Sequence, residues 1–326
     1  MRDAFVSRLE SLAAADPRIF LVTGDLGFAV LDRYRERFPK QFLNAGVAEQ
    51  NMTGVATGLA LDGRIVFTYS IANFPTLRCL EQIRNDASYH EANVKVVAIG
   101  GGFSYGALGM SHHATEDLAI FRAMPGVTVV APGCLWEVEG AVDALVASPG
   151  TAYLRLDKSS AGRTGRYGER FVLGDARVLR EGEAVTIIAA GGILAVALAA
   201  ADALAADGVH CRVVSMHTLS PFDDAAVVRA ARETGGIVTL EEHVVEGGLS
   251  GAVAEACLDA GVMPARFRRI GLRGGFASRV GSQDYLRAAY GMDAPATIRA
   301  VRELLGGGGP PAQTHVSPRA PRLALG

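Results

Sequence analysis

Short β-branched, apolar runs alternate with longer helical stretches along almost the whole chain, and that alternation admits few folds. IFLVTG (19–24), RIVFTY (64–69), VKVVAIG (94–100), VTVVAP (127–132) and TAYLRL (151–156) read as strands. Helical stretches at 47–61, 76–91, 115–123 and 135–147 lie between them. The strands are continuous apolar runs, as a parallel sheet covered on both faces requires. After Leu156 a polar, glycine-containing stretch suits a linker, and a second series begins. It runs through VTIIAA (185–190), a helix over 193–206, HCRVVSM (210–216), a helix over 223–233, GIVTLEE (236–242) and a helix over 249–260. The expected fold class is therefore α/β, with two domains, each a mainly parallel sheet with helices on both faces. The first covers 1–165 and the second 183–305, joined by a linker at 166–182. Residues 306–326 have the composition of a disordered tail.

Composition supports a globular chain. Hydrophobic residues make up 49% of the 326 positions, enough to bury a large core. Thirty-two Lys and Arg nearly cancel 34 Asp and Glu, which argues against nucleic acid or an anionic membrane as the main partner. Cys79, Cys134, Cys211 and Cys257 form no CxxC pair, so a zinc site or disulfide framework is not expected, and a reducing, cytoplasmic setting is. Ala184–Ala201 carries no charge over 18 residues, but Gly191-Gly192 splits it into a strand and a helix, so it is not read as a membrane span.

Ligands of open parallel sheets sit beyond the carboxyl ends of the strands. That directs attention to Thr23–Asp25, Tyr69–Asn73, Gly100–His113, Arg155–Lys158 and Glu241–His243. Within FLNAGVAEQNMTGVATGLALDG (42–63), Glu49 opens a helix whose Gly54, Ala56, Thr57, Gly58 and Ala60 allow another helix to approach closely. A carboxylate there is either a solvated residue favoured by the helix dipole or a desolvated proton relay. The glycines at 100–102 suit close approach of the backbone to a ligand or another chain. Glu241, Glu242 and His243 leave a strand on alternating sides and cannot converge on one metal ion, so 241–256 reads as structural.

GVAEQNMTGVATGLALDG (46–63), YSIANFPTLRCLEQIRND (69–86), SHHATEDLAIFRAMPGVTVVAP (111–132) and LEEHVVEGGLSGAVAEA (240–256) together resemble the transketolase family. The likeness is to that family's C-terminal half, the pyrimidine-binding domain plus the C-terminal domain, over about residues 1–305. It implies thiamine diphosphate as cofactor, shared between two domains. The GDG…N motif that holds the diphosphate through magnesium (Mg2+) is missing: Gly24-Asp25 continues as Leu26-Gly27. The resemblance therefore implies a separate transketolase A subunit carrying that half and the magnesium, as in a split enzyme, in an α₂β₂ assembly. Two of these chains would pair through the C-terminal domain and helix 47–61.

By the same resemblance, Glu49 is the acid at N1′ of the cofactor's pyrimidine, promoting loss of the thiazolium C2 proton. Phe74 is the ring that stacks on the pyrimidine, with Tyr69 as second candidate. His112 contacts donor oxygens and shuttles protons, and His113 is its neighbour at the sugar substrate. Arg78 and Lys158 could hold a phosphate, sulfonate or carboxylate. Leu108 departs from the pattern, standing where phosphosugar-handling relatives carry an acid. The activity implied is transfer of a two-carbon ketol unit from a ketose to an aldehyde. Alternatives are the beta subunit of a 2-oxoacid dehydrogenase, a deoxyxylulose-phosphate-synthase-like carboligase, and a non-catalytic stabilising subunit.

Overall fold

The computed structural model describes residues 1–306, so the tail expected at 306–326 lies outside the described residues apart from Gly306. In chain order the strands are β1 (Ile19–Thr23), β2 (Phe42–Asn44), β3 (Ile65–Ile71), β4 (Val94–Ile99), β5 (Thr128–Val130), β6 (Ala152–Leu156), β7 (Arg177–Arg180), β8 (Thr186–Ala190), β9 (Arg212–Ser215), β10 (Thr218–Ser220), β11 (Ile237–Val244) and β12 (Phe267–Leu272). They form a seven-stranded sheet, β10-β5-β6-β4-β3-β1-β2, and a five-stranded sheet, β12-β11-β8-β9-β7. All pairings are parallel except β10 with β5 and β7 with β9.

Successive strand residues point to opposite faces, and both faces are covered. In the first sheet Leu21, Phe67 and Val97 face one core with Phe5 and Leu9, while Val22, Val66 and Val96 face another. That second core continues through Ile188, Val214 and Val253 of the second half, so the two sheets share apolar packing. Each fully buried aliphatic side chain contributes about 1.5–3 kcal/mol relative to exposure.

Two features depart from the expected organisation. Arg177–Arg180, inside the span read as a linker, is an edge strand of the second sheet. Thr218–Ser220, from the second half, adds an antiparallel strand to the first sheet. The helix expected over 76–91 is also broken, into a 3₁₀ turn (Leu77–Cys79), an α turn (Leu80–Gln82) and a π turn (Ile83–Ser88).

Candidate active site

Glu49 is the first residue of the helix Glu49–Leu61, which buries Met52, Thr53, Ala56, Thr57 and Ala60 along one face. Gly63, at φ 90°, closes its C-terminal end. On the opposite face Gly54 and Gly58 meet open space, since a Cβ on either would touch nothing within 4 Å. The Glu49 side chain is only 3% exposed, and Gly24 after β1 lies so close that a Cβ there would sit 3.2 Å from its Cγ. Arg78 Nη1 donates to Glu49 Oε2 at 2.8 Å, whereas Oε1 accepts no hydrogen bond from the described residues. The Arg78 guanidinium also lies 4.5 Å from the Phe74 ring centroid.

Phe74 continues the arc to His112, edge-on at 5.2 Å between centroids. Asn73 ties the two loops together, its Nδ2 donating to the His113 carbonyl at 2.8 Å and the Ser111 carbonyl at 3.2 Å. His112 Nδ1 pairs with Ser111 Oγ at 3.0 Å, and its ring lies 6.4 Å from Tyr105. Lys158 Nζ stands 3.9 Å above the other end of this arc, over the Tyr105 ring. The structure thus brings Glu49, Arg78, Phe74, His112 and Lys158 into one contiguous chain of contacts. Leu108, 57% exposed, sits on the same loop and offers no hydrogen bond to a polar ligand.

Two expected site residues are placed differently, and a third, Arg78, makes a contact that was not foreseen. Tyr69 lies in the core beside Phe5, with ring centroids 6.2 Å apart, and burial pushes its phenol up. It points inward because it is a strand residue on the side facing the first core. His113 is 3% exposed, with Nε2 3.2 Å from the Gly106 carbonyl, and burial pushes its imidazole down. Arg78, expected to reach a substrate anion, is engaged by Glu49.

The glycines at 100–102 let the backbone approach protein side chains closely. A Cβ at Gly101 would fall 2.0 Å from Arg155 Nε, and one at Gly102 would fall 2.5 Å from Glu242 Oε1. Sequence reasoning points to Arg155–Lys158 and Glu241–His243 and reads 241–256 as structural, but it does not foresee how these charges pair beneath the loop. Arg155 contacts Asp117 and Asp157 at 3.6 and 3.8 Å, and its Nη2 donates to the Glu242 carbonyl. Glu241 accepts the Leu249 and Ser250 N–H groups at 2.7 and 2.9 Å, capping the helix Leu249–Asp259. Charged residues embedded in the apolar runs TAYLRLDK and GIVTLEEH were the available signal.

Residues 1–163 match the family model described as transketolase, pyrimidine binding domain, and residues 174–296 match transketolase, C-terminal domain. The chain is 39% identical over 305 residues to the 6-deoxy-6-sulfo-D-fructose transketolase subunit SqwH of Clostridium sp. (strain MSTE9), covering 93% of this chain and 94% of that one. The chain belongs to the transketolase family. It is 38% identical over 267 residues to the B subunit of apulose-4-phosphate transketolase from Phocaeicola vulgatus, covering 81% of this chain and 85% of that one. A solved structure titled "Split gene transketolase, inactive beta4 tetramer" superposes with a TM-score of 0.83 at 36% identity, covering 94% of this chain and 97% of that one. The SqwH and apulose-4-phosphate relatives, matched over most of their length, are named as transketolase subunits.

Transketolase membership implies thiamine diphosphate dependence, and the pyrimidine side of such a site fits the residues present. Glu49 offers a desolvated carboxylate with one oxygen unclaimed, beside an aromatic ring held by Arg78 and His112. Among the described residues, no group of three or more His, Cys, Asp or Glu is placed to hold a metal ion. No described helix is long and apolar enough to cross a membrane.

Proposed function

We propose that this chain is the B-type subunit of a split transketolase, supplying the pyrimidine side of a site completed by an A subunit. The A subunit would hold the diphosphate and its magnesium. In the reaction the C2–C3 bond of a ketose breaks, a shorter aldose leaves, and a two-carbon ketol unit bonds to an aldehyde acceptor. Thiamine diphosphate, when bound, supplies the electron sink for that cleavage. Glu49 holds a proton at the pyrimidine edge, Phe74 offers the stacking face, and His112 moves protons at the donor hydroxyl and carbonyl oxygens. Lys158 meets the anionic end of the sugar. The two named relatives act on sugars with a sulfonate or a phosphate, and a lysine point charge serves either group. The exposed Leu108 beside this path favours a donor that needs no carboxylate partner at that position.

Assembly follows the same reading. The Gly54 and Gly58 face would pack against a second helix in an α₂β₂ assembly.

The observation that carries the proposal is a carboxylate 3% exposed that still has an oxygen free, in contact through Arg78 with Phe74 and His112. The test mixes this chain with a candidate A subunit, thiamine diphosphate and magnesium, and follows two-carbon transfer between sugar phosphates or sulfonates. Transfer is expected only in the mixture, and Glu49→Ala is expected to lower it by about 10²–10⁴-fold. Turnover by this chain alone, or a fully active Glu49→Ala complex, sinks the reading. Carbon dioxide released from a 2-oxoacid moves it to the dehydrogenase side.

A further inference from the structure

Glu242 belongs to β11 of the second sheet, yet its carboxylate serves a loop of the first domain. It is 2% exposed. Oε1 accepts the Phe103 backbone N–H, and Gln283 Nε2 donates to the same oxygen at 2.9 Å. Oε2 accepts from Arg287 Nε at 2.5 Å. Gln283 and Arg287 stand four residues apart on the helix Gln283–Ala289, so both face the carboxylate. Leu286 of that helix lies so near the loop that a Cβ on Gly106 would come within 2.4 Å of it.

The loop held in this way is the one that carries His112. Its neck is closed by Gly102 and Ala114, which exchange backbone hydrogen bonds of 2.8 and 2.9 Å. Gly102 adopts φ 59° and rests directly on the carboxylate, where a Cβ would meet Glu242 Oε1, Cγ and Cδ within 2.7 Å. Beyond the neck, the Phe103 ring meets His113 edge-on at 5.1 Å and stacks on Tyr290 at 5.7 Å. The turn Met110–His112 forms the tip. A buried ion pair is a weak device for holding two domains together, because well-packed apolar residues of similar volume often do as well or better. A carboxylate can do what an apolar group cannot: accept the Phe103 N–H and fix where the loop leaves β4.

We propose that Glu242 is a positioning residue for His112. Held by Gln283 and Arg287, it clamps the neck of the Gly100–Ala114 loop and sets His112 against Phe74. The inference rests on the role given to His112 above. It also gives the C-terminal domain a part in the site without contact with substrate.

The test uses Glu242→Gln, which keeps the shape but removes the charge, and Gln283→Met, a milder change that leaves the Arg287 pair. Histidine NMR on the whole chain reads the His112 imidazole, assigned with His112→Asn, and kinetics in the complex with the A subunit read donor use. Gln283→Met is expected to melt near the wild type and Glu242→Gln below it, because the amide leaves buried Arg287 without its carboxylate. Both are expected to shift the His112 resonance. Glu242→Gln is expected to lower kcat/KM for the donor ketose by about 10–100-fold, the scale of a modest misplacement, and Gln283→Met by less. In a His112→Asn background, Glu242→Gln is expected to cost the residual rate nothing further. Unchanged His112 resonances and kcat/KM in both variants overturn the proposal, as does the same fractional loss in the His112→Asn background. If the wild-type complex shows no ketol transfer while the His112 resonance still moves in Glu242→Gln, the clamp stands and the functional reading fails.

Discussion

The Arg78 guanidinium meets the Glu49 carboxylate at 2.8 Å, linking the turn after β3 to the first residue of the helix Glu49–Leu61. Glu49 is almost wholly buried, whereas the Arg78 side chain is 47% exposed, so the pair is partly screened. Arg78→Met leaves a desolvated carboxylate without its donor, and such an orphan costs about 1–3 kcal/mol. A loss toward the lower end of that range is expected in chemical denaturation of the isolated chain. Adding Glu49→Gln should return most of it. If the double variant is no more stable than Arg78→Met alone, the ion pair is not what holds this corner.

Acid should weaken the fold through two buried histidines. His217 stacks on Phe171 at 4.3 Å, near Glu137, Arg177 and Asp175, and burial pushes its imidazole below the ordinary value of 6.5. Burial does the same to His113. Below about pH 6.5 the unfolded chain takes up protons that the folded chain resists, so stability falls with pH until the buried rings titrate. Each ring contributes a slope of at most about 1.4 kcal/mol per pH unit within that window. Melting temperatures at pH 7.5 and 5.5 check this, and His217→Gln should flatten the dependence. An unchanged slope in that variant assigns the acid sensitivity elsewhere.

Gly101 has no room for a side chain. An alanine Cβ would fall 2.0 Å from Arg155 Nε and 2.4 Å from Asp157 Oδ1, and both side chains are buried. Neither can swing into solvent, so Gly101→Ala should cost about 1–3 kcal/mol, as overpacking does in other cores. Denaturant midpoints decide it. A variant as stable as the wild type would mean that the loop and Arg155 are looser than their packing implies.

What could be read from the sequence followed physical range. Strands such as 94–100 and 151–156 announce themselves because burial on both faces makes them continuous apolar runs. The edge strands Phe42–Asn44 and Arg177–Arg180 are short and partly exposed, so nothing in their composition separates them from loop. Thr218–Ser220 is a strand only because β5 lies alongside it, a pairing about 90 residues away that no local pattern records. In the candidate site, the resemblance to the transketolase family singles out Glu49, Phe74, His112, Arg78 and Lys158. The strand-end rule alone reaches only His112 and Lys158 of these, and the structure brings all five together. Tyr69 misled because an aromatic at the end of a strand faces core or cleft according to the pleat. The Glu242 clamp depends on partners up to 139 residues distant and was legible only as charges within a buried strand.

The proposed helix interface gives two readouts of opposite sign. Gly58 lies in the middle of the helix Glu49–Leu61, and a Cβ there meets nothing within 4 Å in the single chain. Gly58→Leu should therefore stabilise the isolated chain, since glycine costs a helix interior about 0.8–1 kcal/mol relative to good helix formers. If a second helix packs on this face, the same leucine fills the space where that helix must come close. Light scattering after size exclusion should then show the variant losing the assembly proposed for the wild type with the A subunit, while thermal melting of the chain alone shows a gain. A variant that is more stable and still assembles would place the partner on another surface, because a leucine at a close helix crossing cannot be accommodated without separating the helices.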